Sequence, residues 1–431
     1  MNYVKNYECT ICGEIYEPSN ELMTCPKCHE KGILEINYDY EAMRLNVNFE
    51  YFKHNTDYSM MRYKPLMSIN SHPLNTLKVG WTPLYESKHI KSILGLTKLY
   101  LKDEGVNPTA SLKDRASLVA CIKAIEENYD TICCSSTGNA ASSLAGNAAK
   151  LGLKSVIFVP KRAPIGKLSQ LVVYGANVIQ IDGDYKDTFK ASKEVINKYK
   201  FYNRNAAINP HLVEGKKTVA LEIAEQLKFG DLDYVFVSVG DGCTVASVYK
   251  GYFDLFSLKL INRIPKIIGV QAEGCKPFVD AFINKTEVLE SAEDTIADSI
   301  AVGIPRNPVK GLRAITKSNG FYMSVTDEEI ISAIELLGKK EGIFAEPAGA
   351  AALAGLVKAV NSELIDKQSK VAVIITGNGL KDVKSIESKV EEVSKISSID
   401  LINKMNEDLK YNTNANDLFE MIKTNEVKEY E

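Results

Sequence analysis

Short, nearly continuous apolar runs rich in β-branched residues alternate along this chain with longer stretches of small and apolar residues at helical spacing. The runs predict strands at Lys98–Lys102, Thr131–Ser135, Ser155–Val159, Asn177–Ile181, Tyr234–Val239, Lys266–Val270 and Lys370–Ile375. The intervening stretches predict helices at Leu112–Asn128, Ala140–Leu151, Gly166–Tyr174, Asp187–Lys198, Thr218–Phe229, Cys243–Leu258, Asp327–Lys340 and Ala348–Ala359. Strand–helix alternation with strands apolar on both faces means α/β architecture, with parallel sheets between layers of helices. No repeat of 20–50 residues is visible.

Composition narrows the function classes. The 431 residues are 45% hydrophobic and 25% charged, enough apolar content for a large core in two or three units and too much for disorder. Fifty-two basic residues against 55 acidic ones leave a net charge of −3, so no chain-wide field favours nucleic acid or a membrane surface, and the expected partner is a small molecule. The first residues are polar, with no secretory apolar segment, and no apolar run approaches the ~18 residues that span a bilayer. Five of nine cysteines lie scattered in apolar contexts, which predicts reduced thiols and a cytoplasmic location.

The other four cysteines form two knuckles, Cys9-Thr10-Ile11-Cys12 and Cys25-Pro26-Lys27-Cys28, separated by twelve residues. Two thiolates three positions apart on a tight turn bind one metal together, and a second knuckle completes a tetrahedral sulfur site. Residues 1–36 are therefore expected to be a zinc ribbon with Cys9, Cys12, Cys25 and Cys28 as ligands and His29 as a bystander. A disulfide-bonded secreted domain is the competing reading, and the absence of a signal opposes it. The catalytic part is expected at 37–393, followed by a tail, 394–431, that is helical or partly ordered.

Ligands of open parallel sheets gather where strands end and helices begin, and four such junctions carry chemistry. Asn107-Pro108-Thr109-Ala110-Ser111-Leu112-Lys113 makes a turn, offers Ser111 as an N-cap and sets Lys113 in a first helical turn. The helix dipole disfavours a cation there, and the placement makes sense where the amine is used covalently as a Schiff base. Ser135-Ser136-Thr137-Gly138-Asn139 offers hydroxyls, an amide and free N–H groups to a carboxylate or phenolic oxygen. Gly240-Asp241-Gly242-Cys243-Thr244 can close backbone N–H groups around a phosphate. Thr376, in Ile375-Thr376-Gly377-Asn378-Gly379-Leu380-Lys381-Asp382, offers a neutral hydroxyl to a heterocyclic nitrogen. Taken singly, these read as a surface lysine, an ordinary cap and two plain turns.

In this order they resemble the threonine synthases, pyridoxal-phosphate enzymes of the tryptophan-synthase β-chain fold, fold type II. The resemblance runs from about Arg62 to Asp382 and includes Trp81-Thr82-Pro83-Leu84, Asn209-Pro210 through Lys216-Lys217-Thr218, and Ala345-Glu346-Pro347-Ala348-Gly349-Ala350. It implies two αβα subdomains, the smaller, roughly 116–215, inserted in the larger, and an N-terminal zinc ribbon is known within the family. It further implies that Lys113 carries pyridoxal 5'-phosphate as a Schiff base and then moves protons. Asn139 contacts the ring hydroxyl oxygen, Gly240, Asp241, Gly242, Cys243 and Thr244 hold the cofactor phosphate, and Thr376 faces the ring nitrogen. Ser136 and Thr137 receive the substrate carboxylate. The implied reaction converts O-phospho-L-homoserine and water to L-threonine and phosphate.

The chain departs from the family at the substrate phosphate. Ala206, Ala207 and Leu212 stand where Asn, Ser and Arg are usual, and Ala110 and Leu112 stand where Gly and Phe flank the lysine. Lys167 matches a family phosphate ligand, with Arg204 or Lys216 as compensation from nearby. A sibling enzyme acting on a phosphoserine- or diaminopropionate-type amino acid is therefore the alternative. A zinc-ribbon nucleic-acid-binding protein lacks a basic stripe here, and a catalytically dead homologue is opposed by Lys113. A homodimer is compatible with all of these enzyme readings.

Overall fold

A computed structural model describes residues 3–19, 22–161, 165–183, 185–387 and 398–399, with the side chains of 165–167, 185 and 186 outside the description. Met1–Asp382 forms one compact unit and Val383–Glu431 a second, of which the turn Val383–Ile386 is described. The tail expected at 394–431 therefore lies outside the described residues apart from 398–399.

Two parallel sheets build the first unit. The larger has the order Phe321–Val325, Lys266–Ala272, Tyr234–Ser238, Lys370–Ile375, Lys98–Asp103, Leu84–Glu86, parallel except for the antiparallel edge strand Leu84–Glu86. Helix Pro347–Asn361 packs against four of its strands, and Cys243–Ser257 and Pro308–Lys317 against two. The smaller has the order Asn177–Ile181, Lys154–Pro160, Thr131–Ser135, Tyr202–Asn203, all parallel. Its strands show why the sequence carries unbroken apolar runs. Alternate residues point to opposite faces, so Ile132, Cys134, Ile157 and Val159 pack with helix Asn139–Leu151, while Cys133 and Phe158 pack with Val195 and Ile196 of helix Tyr185–Tyr199. Both faces are covered, as the α/β reading of the sequence requires.

The seven predicted strands and eight helices all form, with ends shifted by a few residues. The structure adds strands Leu84–Glu86, Tyr202–Asn203 and Phe321–Val325 and Pro-led helices Pro277–Asn284 and Pro308–Lys317. It also adds an antiparallel sheet in the order Ile15–Tyr16, Val4–Cys9, Leu34–Tyr38. The inward residues of that third strand, Leu34, Ile36 and Tyr38, join the core of the larger sheet's helices. Lys250 and Lys310 donate to the carbonyls of Ile36 and Leu34, both at 2.7 Å, and Tyr38 donates to Glu214 Oε2 at 2.5 Å.

One buried ion network ties the lysine-bearing helix to the larger sheet. Arg115 bonds Glu104 at 2.6 and 2.7 Å and Glu222 at 2.6 and 2.7 Å, and Lys102 bonds Glu222 at 2.7 Å, all four side chains having no exposure. Burial alone would raise the Glu222 carboxyl, but Arg115 and Lys102 hold it down at about 2. The Trp81-Thr82 peptide belongs to this network: Trp81 N–H donates to Glu222 at 2.7 Å and Thr82 Oγ1 to Glu104 at 2.6 Å.

Candidate active site

The C-terminal ends of the strands open into a cleft between the two sheets. Strand Thr131–Ser135 delivers Ser136 and Asn139 to it, and strand Tyr234–Ser238 delivers Gly240, Asp241, Gly242, Cys243 and Thr244. Strand Lys370–Ile375 delivers Thr376, and the helix Lys113–Glu126 supplies Lys113. Arg204 lines the same cleft, whereas Thr137 lines an adjoining cavity with Ser142, Gln170 and Lys381. Lys167 lies in helix Ile165–Val173, but its side chain is outside the described residues.

Ser111 does not cap the lysine helix. That helix begins at Lys113 without a side-chain cap, and Ser111 instead bridges to Gly377. Flanking bonds, Leu112 N–H to Thr376 O at 2.9 Å and Asn378 N–H to Ala110 O at 3.1 Å, zip the lysine peptide to the Thr376 loop. The turn needs a left-handed residue, and Ala110 takes φ = 65°, which accounts for the glycine usual at that position; an L-residue pays roughly 1–2 kcal/mol there. Burial pulls the Lys113 ammonium below its ordinary value, opposed by Glu346 and assisted by Arg204, so the amine is readied as a nucleophile.

The glycine loop is shaped for an anion. Gly242 has φ = 83°, and a Cβ on it would stand 2.6 Å from Asn307 O; one on Gly240 would stand 3.1 Å from Ile300 Cα. Helix Cys243–Ser257 starts here with no side-chain cap, leaving its first N–H groups for a bound phosphate. Ser238 Oγ, at the end of the neighbouring strand, is buried without a partner. The lysine, the uncapped helix and the neutral Thr376 hydroxyl fit pyridoxal phosphate.

Several lining residues were not assigned from sequence. Glu346, just before helix Pro347–Asn361, is buried and accepts two bonds from Asn139 Nδ2, at 2.8 and 3.1 Å, the amide reaching Ser299 Oγ as well at 3.3 Å. Burial raises its carboxyl, with Asn139 and Lys113 opposing. The only hint in the sequence is an acid inside the otherwise small and apolar run Ala345–Ala352. Arg306 also lines the cleft, its guanidinium 4.2 Å from the Phe189 ring.

The positions that depart from the family are accounted for by packing. Ala206 and Ala207 pack against Ile33 and Cys243, and Leu212 is sealed in the smaller sheet's core with Ile132, Cys134 and Tyr202.

At the N-terminus the sulfurs of Cys9, Cys12, Cys25 and Cys28 lie within 4.8 Å of one another. Ile11 N–H donates to Cys9 Sγ and Cys28 N–H to Cys25 Sγ, both at 3.4 Å, and Tyr16 Oη lies 3.1 Å from Cys25 Sγ. A Cβ on Gly32 would stand 2.5 Å from Cys25 Cβ, so the loop closes tightly over the sulfurs. His29 is not in the group.

A parallel-sheet cleft with a half-buried lysine and a phosphate loop at its strand ends defines an enzyme built around an aldehyde cofactor. Residues 76–377 match the family described as "Pyridoxal-phosphate dependent enzyme", and the chain belongs to that family. It is 38% identical over 392 residues to a threonine synthase of Methanocaldococcus jannaschii, covering 90% of this chain and 96% of that protein. A threonine synthase of Methanosarcina acetivorans is 36% identical, covering 92% and 97%. Among solved structures, threonine deaminase isoform 2 of Solanum lycopersicum superposes with a TM-score of 0.62 at 22% identity, covering 72% of this chain and 87% of that one. Diaminopropionate ammonia lyase of Escherichia coli gives 0.62 at 20% identity, covering 76% and 95%. At such identities these two report the fold.

Proposed function

We propose that this enzyme converts O-phospho-L-homoserine and water to L-threonine and phosphate. The observation that carries the reading is the near full-length similarity to threonine synthases, joined to a cleft that holds Lys113 and the glycine loop together. Pyridoxal phosphate, when bound, supplies an electron sink for charge developing at substrate carbons. Lys113 would hold its aldehyde carbon, Gly240–Thr244 its phosphate, Thr376 its ring nitrogen, and Asn139, oriented by Glu346, its ring hydroxyl. Lys113 Nζ would move protons at the substrate's Cα and Cβ, its ammonium lowered by burial so that the free amine is available as a base. Ser136 and Thr137 bind the substrate carboxylate, and Lys167 and Arg204 its phosphate.

The four-cysteine group supports one structural zinc, as in the ribbon-bearing members of the family. The ribbon at 1–36 and a smaller subdomain at about 116–215 remain our division of the chain. Among the described residues no helix is long and apolar enough to cross a membrane, and all nine cysteines are unpaired. A cytoplasmic, homodimeric enzyme is the form we infer.

Turnover of O-phospho-L-homoserine, read as L-threonine by amino-acid analysis alongside released phosphate, tests the activity. Consumption of O-phosphoserine or diaminopropionate without turnover of phosphohomoserine would replace it with the sibling reading.

A further inference from the structure

Three donors in the cleft lack the partner their burial requires. Lys216, the last residue of helix His211–Lys216, is 2% exposed and its ammonium makes no hydrogen bond or ion pair among the described residues, although it lines the cleft. Arg204, also 2% exposed, directs Nε and Nη2 to Ser117 Oγ at 3.2 and 3.1 Å and has no carboxylate partner among the described residues. Asn205, between Arg204 and Ala206, uses Oδ1 to accept Ser135 N–H at 2.8 Å, and its Nδ2 is buried without an acceptor.

A buried cation without a counter-charge is costly. Two of them beside an idle amide donor, on one cavity wall, describe a binding surface for a compact dianion. Elsewhere among the described residues buried cations are paired: Arg115 and Lys102 with glutamates, Lys217 with Glu214 and Asp254. Lys216 and Arg204 are therefore set apart by the absence of a protein counter-ion. The glycine loop and the uncapped helix Cys243–Ser257 already supply donors for one phosphate, the cofactor's.

We infer that Lys216, with Arg204 and Asn205, forms a second phosphate subsite in the cleft, which takes the phosphate group of the substrate and then the inorganic phosphate produced. The inference rests on the phosphohomoserine reading for its natural ligand and on the unpaired donors for its chemistry. Leu212 is one helical turn before Lys216 and closes the core behind it, so the helix seals the small subdomain with one side chain and reaches the cleft with the next on that face. Burial pulls the Lys216 ammonium down to about 8, Cys243 and Asp241 opposing and Lys113 and Arg204 assisting. A dianion seated beside it restores the charged form.

The test uses the holoenzyme and its Lys216→Met and Lys216→Arg variants, each checked for an unchanged melting temperature and cofactor absorbance. Inorganic phosphate is the probe, titrated as a competitive inhibitor and by calorimetry, with KM and kcat for O-phospho-L-homoserine measured in parallel. Removing a charged partner from a desolvated phosphate typically costs about 2–5 kcal/mol, so Lys216→Met should weaken phosphate and raise KM by ~30-fold or more. Lys216→Arg should restore most of that loss, and kcat should move less than KM. Phosphate affinity within threefold of wild type in Lys216→Met overturns the subsite. So does a variant whose apoprotein loses pyridoxal-phosphate affinity while its cofactor-saturated form binds inorganic phosphate normally, because the anion held is then the cofactor's. If the wild type binds phosphate through Lys216 yet does not turn over phosphohomoserine, the subsite stands and the substrate reading falls.

Discussion

Replacing Arg115 by methionine should destabilise this enzyme sharply, because Arg115 is the one cation bonded to the Glu104 carboxylate among the described residues. In the folded chain its guanidinium makes four bonds of 2.6–2.7 Å to Glu104 and Glu222 and one of 2.8 Å to Thr218 Oγ1, with no exposure at any of the charged groups. Methionine fills much of the volume but leaves Glu104 as an uncompensated buried charge, while Glu222 keeps Lys102 at 2.7 Å. Breaking a buried pair from one side costs about 3–5 kcal/mol. An unfolding entropy of roughly 2.1 cal/mol/K per residue gives ~0.9 kcal/mol/K for 431 residues, so the melting temperature should fall by about 3–6 °C. Differential scanning calorimetry and urea unfolding measure this directly. The reasoning also fixes the sign of a second change: Glu104→Gln in the Arg115→Met background should recover part of the loss, since it removes the stranded charge, although alone it is destabilising. A loss below about 1 kcal/mol for Arg115→Met, or additive losses in the double variant, would refute the account of the network.

Borohydride should bleach the visible band of the yellow holoenzyme and fix the pyridoxyl group on Lys113, read by peptide mass spectrometry; recovery on another lysine would remove Lys113 from the centre. Metal analysis should find one zinc per chain, lost in Cys9→Ser/Cys28→Ser. Because Ile33 packs on Ala207 and Cys243, the variant should also hold pyridoxal phosphate more weakly without abolishing its binding. Burial holds the His211 imidazole at about 3, with Lys123 assisting and Ser68 bonded to Nδ1 at 2.7 Å. The unfolded chain takes up that proton near pH 6.5, so stability is full above 6.5 and falls by ~1.36 kcal/mol per unit as pH drops from there toward 3. Urea titrations from pH 7.5 to 5 should show this slope reduced by one proton in His211→Asn; an unchanged slope would assign the acid limb to other groups.

The residues that were legible in the sequence are those whose environment is set locally. Thr131–Ser135 and Lys370–Ile375 read as strands because a parallel sheet covered on both faces leaves no polar alternation. Lys113, Asn139 and the Gly240–Thr244 loop sit at strand–helix junctions, where a turn signal follows an apolar run. Glu346 is different: its partner Asn139 is 207 residues away, and no spacing links them. The edge strands Leu84–Glu86 and Phe321–Val325 are short and mixed in polarity, so the periodic signal is weak. Helices Pro277–Asn284 and Pro308–Lys317 carried a usable signal, a proline at the first helical position.

The two alanines at 206 and 207 show how a missing functional group can be a structural requirement. Ala207 adopts φ = 67° and is 6% exposed, with Ile33 and Cys243 against it. A polar side chain there would be buried beside an isoleucine and a thiol, with its hydrogen-bonding groups facing apolar atoms, at a cost of about 1–3 kcal/mol. Ile33 is itself placed by the cysteine group, since Gly32 lies against Cys25, Cys28 and Cys9 and Thr10 N–H donates to the Ile33 carbonyl at 3.0 Å. The sulfur cluster thus fixes the segment that packs on Ala207 and Cys243 and makes small apolar residues the fitting choice at 206 and 207. Donors for a substrate phosphate must then come from strand and helix ends that this cysteine-bearing segment does not cover. Arg204 and Lys216 lie at those ends.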